Sequence, residues 1–289
     1  MKFSIKLCLA VLGLYFAVAL FGEIQYHVAR ANDETAVYNQ VNLHARYLPP
    51  LSSAPSFDNP DEEEFFFLGT DNLGRSVALR LAQGARIAFH VGIMTSLIAM
   101  PLGVLLGLLG GYFKGWVDSV VVWLSATVAS MPGLLFILAI SLVVGQGLLG
   151  IYFGIGLTTW VGVCRTVRAE VIKQSERAYV QAAKTLGYSH LRIMFRHILP
   201  NVAHIILIQF SIRFPAAIST EVFISFLGIG VQGEPSWGVM IDNARRRLWQ
   251  GVWWEMTFTT IAIFVLVLVF NHLADYLRDR LDPALRNER

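Results

Sequence analysis

From Ser119 to Cys164 the chain runs for 46 residues without a formal charge. As helix this stretch would be about 69 Å long, more than twice the roughly 30 Å hydrocarbon core of a bilayer. It predicts two membrane crossings. The break between them is expected at Gly145-Gln-Gly-Leu-Leu-Gly150, where three glycines interrupt the pattern, and Pro132 reads as a kink inside the first of the pair. The same ruler finds four more spans: Leu7 to Gly22; Ile87 to Phe113, with His90 as its only ionisable group; about Asn201 to Leu227, which carries Arg213 and Glu221; and Met256 to Ala274. Trp249, Trp253 and Trp254 precede the last of these and suit an interfacial aromatic belt. The expected fold class is an all-α membrane protein with six transmembrane helices.

Composition agrees. Of 289 residues 55% are hydrophobic and 15% charged, against about 25% charged in an ordinary soluble domain. A net charge of +3 gives no basis for nucleic-acid binding, and Cys8 and Cys164 lie in separate apolar runs, where they read as small core residues. Residues 1–26 are read as an N-terminal anchor. A cleavable signal ending near Ala29-Arg30-Ala31 is the other reading, but the 16-residue apolar run exceeds the usual core of such signals. The rule that Lys and Arg gather in cytoplasmic loops sets the orientation. Arg165, Arg168, Lys173, Arg177, Lys184, Arg192 and Arg196 put 165–200 inside, together with Lys2, Lys6 and a tail, 275–289, bearing Arg278, Arg280, Arg286 and Arg289. Residues 27–85 then form an external loop with Asp58 and the acidic run Asp61 to Glu64, and 86–274 form a five-helix transmembrane domain. Arg245 to Arg247 fall outside and break the pattern.

Chemistry is sparse. The chain has no Gly-rich loop ending in Gly-Lys-Ser or Gly-Lys-Thr, no Gly-x-Ser-x-Gly elbow and no metal spacing among its seven histidines, so neither enzyme activity nor a bound metal is expected. An ion-coupled carrier would need several charges within its spans. Only Arg213 and Glu221 qualify, about 80° apart on one helix, and with Ser225 they are candidates to line a translocation path, Glu221 alternatively lying partly hydrated near the outer interface. Gly103, Gly107 and Gly111 repeat a Gly-x-x-x-Gly spacing that lets a second helix approach, within the subunit or across an interface.

The most informative stretch is Glu176-Arg-Ala-Tyr-Val-Gln-Ala-Ala-Lys-Thr-Leu-Gly187 and the segment after it to Asn201. Ala178, Ala182 and Leu186 share one face of a short helix, Gly187 is its left-handed stop, Ser189 caps a second helix and Pro200 ends that helix near Leu199. The unit, within 170–200, is a helix-turn-helix at the cytoplasmic face, where small Ala182 and Ala183 would let a partner's cleft close on the backbone. A plain positively charged loop is the competing reading.

Here the sequence resembles the membrane permease subunits of binding-protein-dependent ABC transporters of the dipeptide, oligopeptide and nickel class. Gln181-Ala-Ala, Gly187 and His197-Ile-Leu-Pro200 look like the family's "EAA" loop, with Gln181 at the place of its glutamate. Leu68-Gly-Thr-Asp-Asn-Leu-Gly-Arg75 with Arg80 and Gly84-Ala-Arg86, then Glu221 to Gly230 with Pro235-Ser-Trp-Gly238, and Asn271 to Leu281-Asp-Pro283 match its other signatures. Ser76 and Thr259-Thr260 depart from it.

The resemblance implies a subunit of the bacterial or archaeal cytoplasmic membrane, both termini inside. It would pair with a second permease, carry two ATPases that bind the ATP and magnesium, and receive short peptides, or else nickel or another small solute, from an external binding protein. It makes Ala178, Gln181, Ala182, Ala183, Gly187, His197, Leu199 and Pro200 the expected ATPase-coupling residues. Asp71 reads as a cap for the helix entering the second span. Most of 69–75 reads as structural, Gly69 and Gly74 making turns, while Asp71, Arg75, Arg80, Arg86 and Trp237 are the candidates for external docking, the arginines toward the binding protein or the neighbouring permease. A carrier or channel working without an ATPase is the alternative from another class.

Overall fold

The computed structural model describes residues 3–33, 35–57, 61–231 and 233–281. Lys2, Asp58, Asp282, Pro283, Arg286 and Arg289 lie outside the described residues. Ten α-helices and one hairpin are found among them: α1 (Phe3–Ala31), β1 (Ser52–Pro55), β2 (Glu63–Phe66), α2 (Val77–Phe113), α3 (Gly115–Ala129), α4 (Gly133–Val144), α5 (Leu148–Ser175), α6 (Ala178–Thr185), α7 (His190–Arg192), α8 (Leu199–Phe226), α9 (Trp237–Arg245) and α10 (Trp254–Leu281). Five helices are each long and apolar enough to cross a membrane, and α3 with α4 makes a bent pair that raises the number to as many as six.

Pro132 is a correction. The sequence predicts a kink within one helix, but α3 stops at Ala129 and α4 leaves at 91° to it. Pro132 stands at the N-terminal boundary of α4, where its missing N–H costs no hydrogen bond. The second break does fall at the glycines: Gly145 and Gly147 take φ of 123° and 115°, which other residues avoid.

The chain forms two compact units, neither contiguous in sequence. One comprises the residues up to Gly92, Gln146–Leu148 and Pro215–His272; the other comprises Ile93–Gly145, Leu149–Phe214 and the residues from Leu273 onward.

In the first unit α1 is tied in by polar bonds at places where apolar packing has no direction. The Tyr15 hydroxyl donates to the Ala262 carbonyl at 2.8 Å and the Gln83 amide donates to the Gly22 carbonyl at 2.8 Å. Helix formation outruns the apolar runs, so the connection shortens to 32–76 and is itself folded. β1 and β2 pair antiparallel with Ser52 opposite Phe66, and Phe66 is buried with Ala45 and Ala54, while Phe65 and Phe67 alternate outward. Thr70 links the layers: its hydroxyl donates to the Ala45 carbonyl and its carbonyl accepts from the Trp254 indole at 2.9 Å. Trp254 is therefore an internal tether, unlike the exposed Trp249 and Trp253.

The second unit is organised by glycine. A Cβ at Gly103 would stand 2.6 Å from the Val163 Cβ, one at Gly107 2.9 Å from the Cys164 carbonyl oxygen, and one at Gly111 2.8 Å from the Arg168 carbonyl oxygen. The repeated spacing thus seats α2 directly on α5, an internal contact. Asp118 of α3 clamps Arg168 of α5 in a two-pronged ion pair.

Candidate functional site

The helix-turn-helix of the second unit is built from two opposed faces. On the inner face Val180, Ala183, Ile193, Met194 and Ile198 are buried, and they share one cluster with Leu108, Tyr112, Val163, Val167, Val171 and Val202. On the outer face Ala178, Gln181, Ala182 and Leu186 are exposed, Leu186 at 71%. Ala183 is thus a packing residue, and Ala182 is the small side chain a partner would meet. Leu186 is the large apolar side chain of this exposed face.

The turn is a Schellman motif. The Tyr188 N–H donates to the Ala183 carbonyl at 3.1 Å and the Gly187 N–H to the Lys184 carbonyl at 3.0 Å, with Gly187 at φ 75°. The Ser189 hydroxyl accepts from the Arg192 N–H at 3.4 Å and starts the next helix. Gln181 closes the near end by donating from its amide to the Ser175 carbonyl at 3.1 Å. His190 meets the Tyr112 hydroxyl at 2.9 Å, and His197 stacks on Tyr188 with centroids 5.7 Å apart.

Pro200 does not end the second helix. A π turn, Ile193–Ile198, carries α7 directly into α8, with Leu199 half-buried and Pro200 exposed. The wider turn absorbs the hydrogen bond that a proline cannot donate and spares its ring a clash with the preceding turn. The segment and the long helix are therefore one continuous rod.

The proposed external residues prove internal to the first unit. Asp71 is 1% exposed; its carboxylate accepts from the Leu73 and Arg75 N–H groups at 2.8 and 3.0 Å and pairs with the Arg75 guanidinium at 2.7 Å and Arg80 at 3.6 Å. It caps its own turn, six residues ahead of α2, and does not cap the helix. Arg80 and Arg86 are both 3% exposed, Arg86 bound to Glu23 at 3.3 Å and Glu234 at 2.7 Å. Trp237 is 1% exposed, lies over Gly84 and donates its indole N–H to the Leu81 carbonyl at 3.0 Å. Buried side chains cannot receive a docking protein; only Arg75 keeps part of its surface. Burial pushes the Tyr38 phenol up from its ordinary range, so this neighbour of Arg80 stays neutral.

Glu221 and Ser225 leave the path as well. Both are buried, the Ser225 hydroxyl donating to Glu221 Oε1 at 2.6 Å and accepting from the Val231 N–H at 3.2 Å. They latch the turn after α8. Ser225→Ala is expected to cost about 1–3 kcal/mol by stranding a buried carboxylate oxygen, read as a lowered melting temperature in detergent; an unchanged temperature would refute the latch. Arg213 belongs to the second unit, where its guanidinium lies on Gly162 of α5.

Residues 100–287 match the family described as binding-protein-dependent transport system inner membrane component. The chain belongs to this family. It is 39% identical to the dipeptide transport system permease protein of Bacillus subtilis over 228 residues, 78% of this chain and 71% of that protein. It is 34% identical to the glutathione transport system permease protein of Pectobacterium atrosepticum over 248 residues, 84% and 82% of the two chains. An amino acid ABC transporter crystal structure, at 16% identity, TM-score 0.55 and coverage of 70% of this chain and 94% of that one, shares the fold. The chain is accordingly a multi-pass inner-membrane permease subunit, a transporter component without catalytic chemistry of its own.

Sequence reasoning overlooked the Asp118–Arg168 clamp and the seat of Trp237. Gly84 was the signal for the second: only a residue without a side chain leaves room for an indole on a helix.

Proposed function

We propose that this chain is one of two permease subunits of an ATP-driven importer for short peptides, with two separate ATPases below it and a binding protein that delivers substrate from outside. The two-faced helix-turn-helix carries the reading. Its inner face is locked into the second unit, its outer face offers Ala182 and Leu186, and it continues into α8 without a break, so a push on it moves a transmembrane helix. The named relatives favour peptides over nickel or another solute.

Taking α3 and α4 as one bent span gives six crossings, and the seven basic residues of 165–200 favour a cytoplasmic coupling segment and cytoplasmic termini. Arg245 and Arg246 pair with Asp242, and Arg247 with Glu255, so the basic triplet that departs from this pattern has a structural role in its own segment. The Tyr15 and Gln83 bonds favour retention of α1 as an anchor. In this scheme closure of the ATPases on ATP moves the coupling segment and α8, exposing the path outward, and hydrolysis resets it; the permease pair alternates between two states.

Purification of the tagged protein in mild detergent, with mass spectrometry of retained chains, tests the assembly. A second permease and ATPases are expected; a chain recovered alone that moves solute in liposomes without ATP would overturn the reading in favour of a carrier or channel. Gly187→Val tests the coupling. A β-branched side chain at φ 75° costs about 1–2 kcal/mol and unwinds the turn. ATP-driven uptake is expected to fall several-fold, and normal uptake and normal ATPase retention would show that the turn does not transmit.

A further inference from the structure

Arg213 is the residue that neither the fold nor the coupling segment uses. It lies near the middle of α8, about 21 Å from the start of the helix and about 20 Å from its end. That depth is where an unpaired charge is most costly in a bilayer and a functional role is the ordinary reason to keep one. Among the described residues its guanidinium has no ion-pair partner, and its Nε is buried without a hydrogen-bond acceptor.

The surroundings are built to hold the group. The guanidinium points its Nη2 end at Gly162, where an added Cβ would come within 2.8 Å of Cζ and closer still to Nη2. One turn away on each helix, the Gln209 amide donates to the Thr166 hydroxyl at 3.4 Å, and Thr166 donates to the Gly162 carbonyl at 3.0 Å. Gly162, Thr166, Gln209 and Arg213 are all partly exposed, so the cluster is open on one side. Glu221, the acid farther along α8, is already held by Ser225.

We propose that Arg213, seated on Gly162, is the binding site for the terminal carboxylate of the transported peptide. The inference rests on the peptide-import reading. A guanidinium offers two parallel N–H groups that match a carboxylate, and in a medium of low polarity such a charged pair is strong. Every free peptide brings this group, so the counter-charge missing from the subunit arrives with the cargo. Gln209 and Thr166 supply neutral hydrogen bonds beside it that accept any peptide sequence.

The test uses the complete transporter in proteoliposomes, with the binding protein saturated by a dipeptide carrying either a free or an amidated C-terminus. The wild type is expected to import the free acid at least tenfold faster than the amide, the size of one charged hydrogen bond. Arg213→Gln should lose that preference by slowing the acid alone, Arg213→Lys should keep part of it, and Gly162→Ala, which displaces the guanidinium but leaves its charge, should weaken it. An unchanged ratio in Arg213→Gln overturns the site while leaving peptide import intact. Loss of the second permease from purified Arg213→Gln complexes also overturns it, because the missing acid would then be the partner's. A wild type that imports neither peptide but hydrolyses ATP with another solute overturns the peptide reading and the site together.

Discussion

Asp71→Ala should be the most destabilising single change outside the apolar core, at about 3–5 kcal/mol. The substitution leaves Arg80, 3% exposed, as a buried charge without its carboxylate, and it frees the Leu73 and Arg75 N–H groups in the same step. Asp71→Asn keeps an oxygen for the two backbone donors but removes the charge, so it should fall between Ala and the wild type. Protease cutting within 32–76 and the melting temperature in detergent measure both. If the Ala and Asn variants melt alike, the backbone bonds matter and the ion pair does not; if neither shifts, Arg80 has another anchor and the turn is not what holds the connection to α2.

The second large effect belongs to Gly107→Leu. A Cβ there already stands 2.9 Å from the Cys164 carbonyl oxygen and 3.0 Å from both the Arg168 nitrogen and the Val167 Cβ. Backbone cannot rotate away as a side chain can, so the helices must separate, at about 3 kcal/mol, the upper part of the range for overpacking. Leu108, Tyr112, Val163, Val167 and Val171 border this contact and form the floor under Val180, Ala183 and Met194. Separation of α2 from α5 therefore loosens the coupling segment, and uptake should fall together with stability. Gly133→Ala is the control, since nothing lies within 4 Å of its Cβ position. Normal melting and uptake in Gly107→Leu would mean that α2 and α5 are not in close contact in the working transporter.

The two variants differ in what they reveal. Asp71 acts through electrostatics that burial amplifies, Gly107 through steric exclusion, and each belongs to a different compact unit. Asp71 is the case in which the sequence left two readings open. A motif of Asp, Gly and Arg residues between apolar runs reads either as structural turns or as a surface for a partner, because charged side chains are seldom fully buried unless paired. The pairing partners are what the linear order hides: Glu234 lies 148 residues from Arg86, and the Trp237 indole donates to a carbonyl 156 residues away.

The sequence by itself determined the membrane class, because uncharged runs of about twenty residues have no comfortable place in water. It also determined the stop at Gly187, a positive-φ position set by local sterics, the break at the glycines near 145, and the close approach at Gly103, Gly107 and Gly111. Each of these depends on a residue and its near neighbours along the chain. Tertiary structure alone decided which charges are buried, that α3 and α4 meet at 91°, that a π turn carries the coupling segment through Pro200 into α8, and that Ala183 faces inward while Ala182 faces out. Those outcomes rest on hydrogen bonds, ion pairs and excluded volume between residues far apart in sequence, and spacing along the chain carries no record of them.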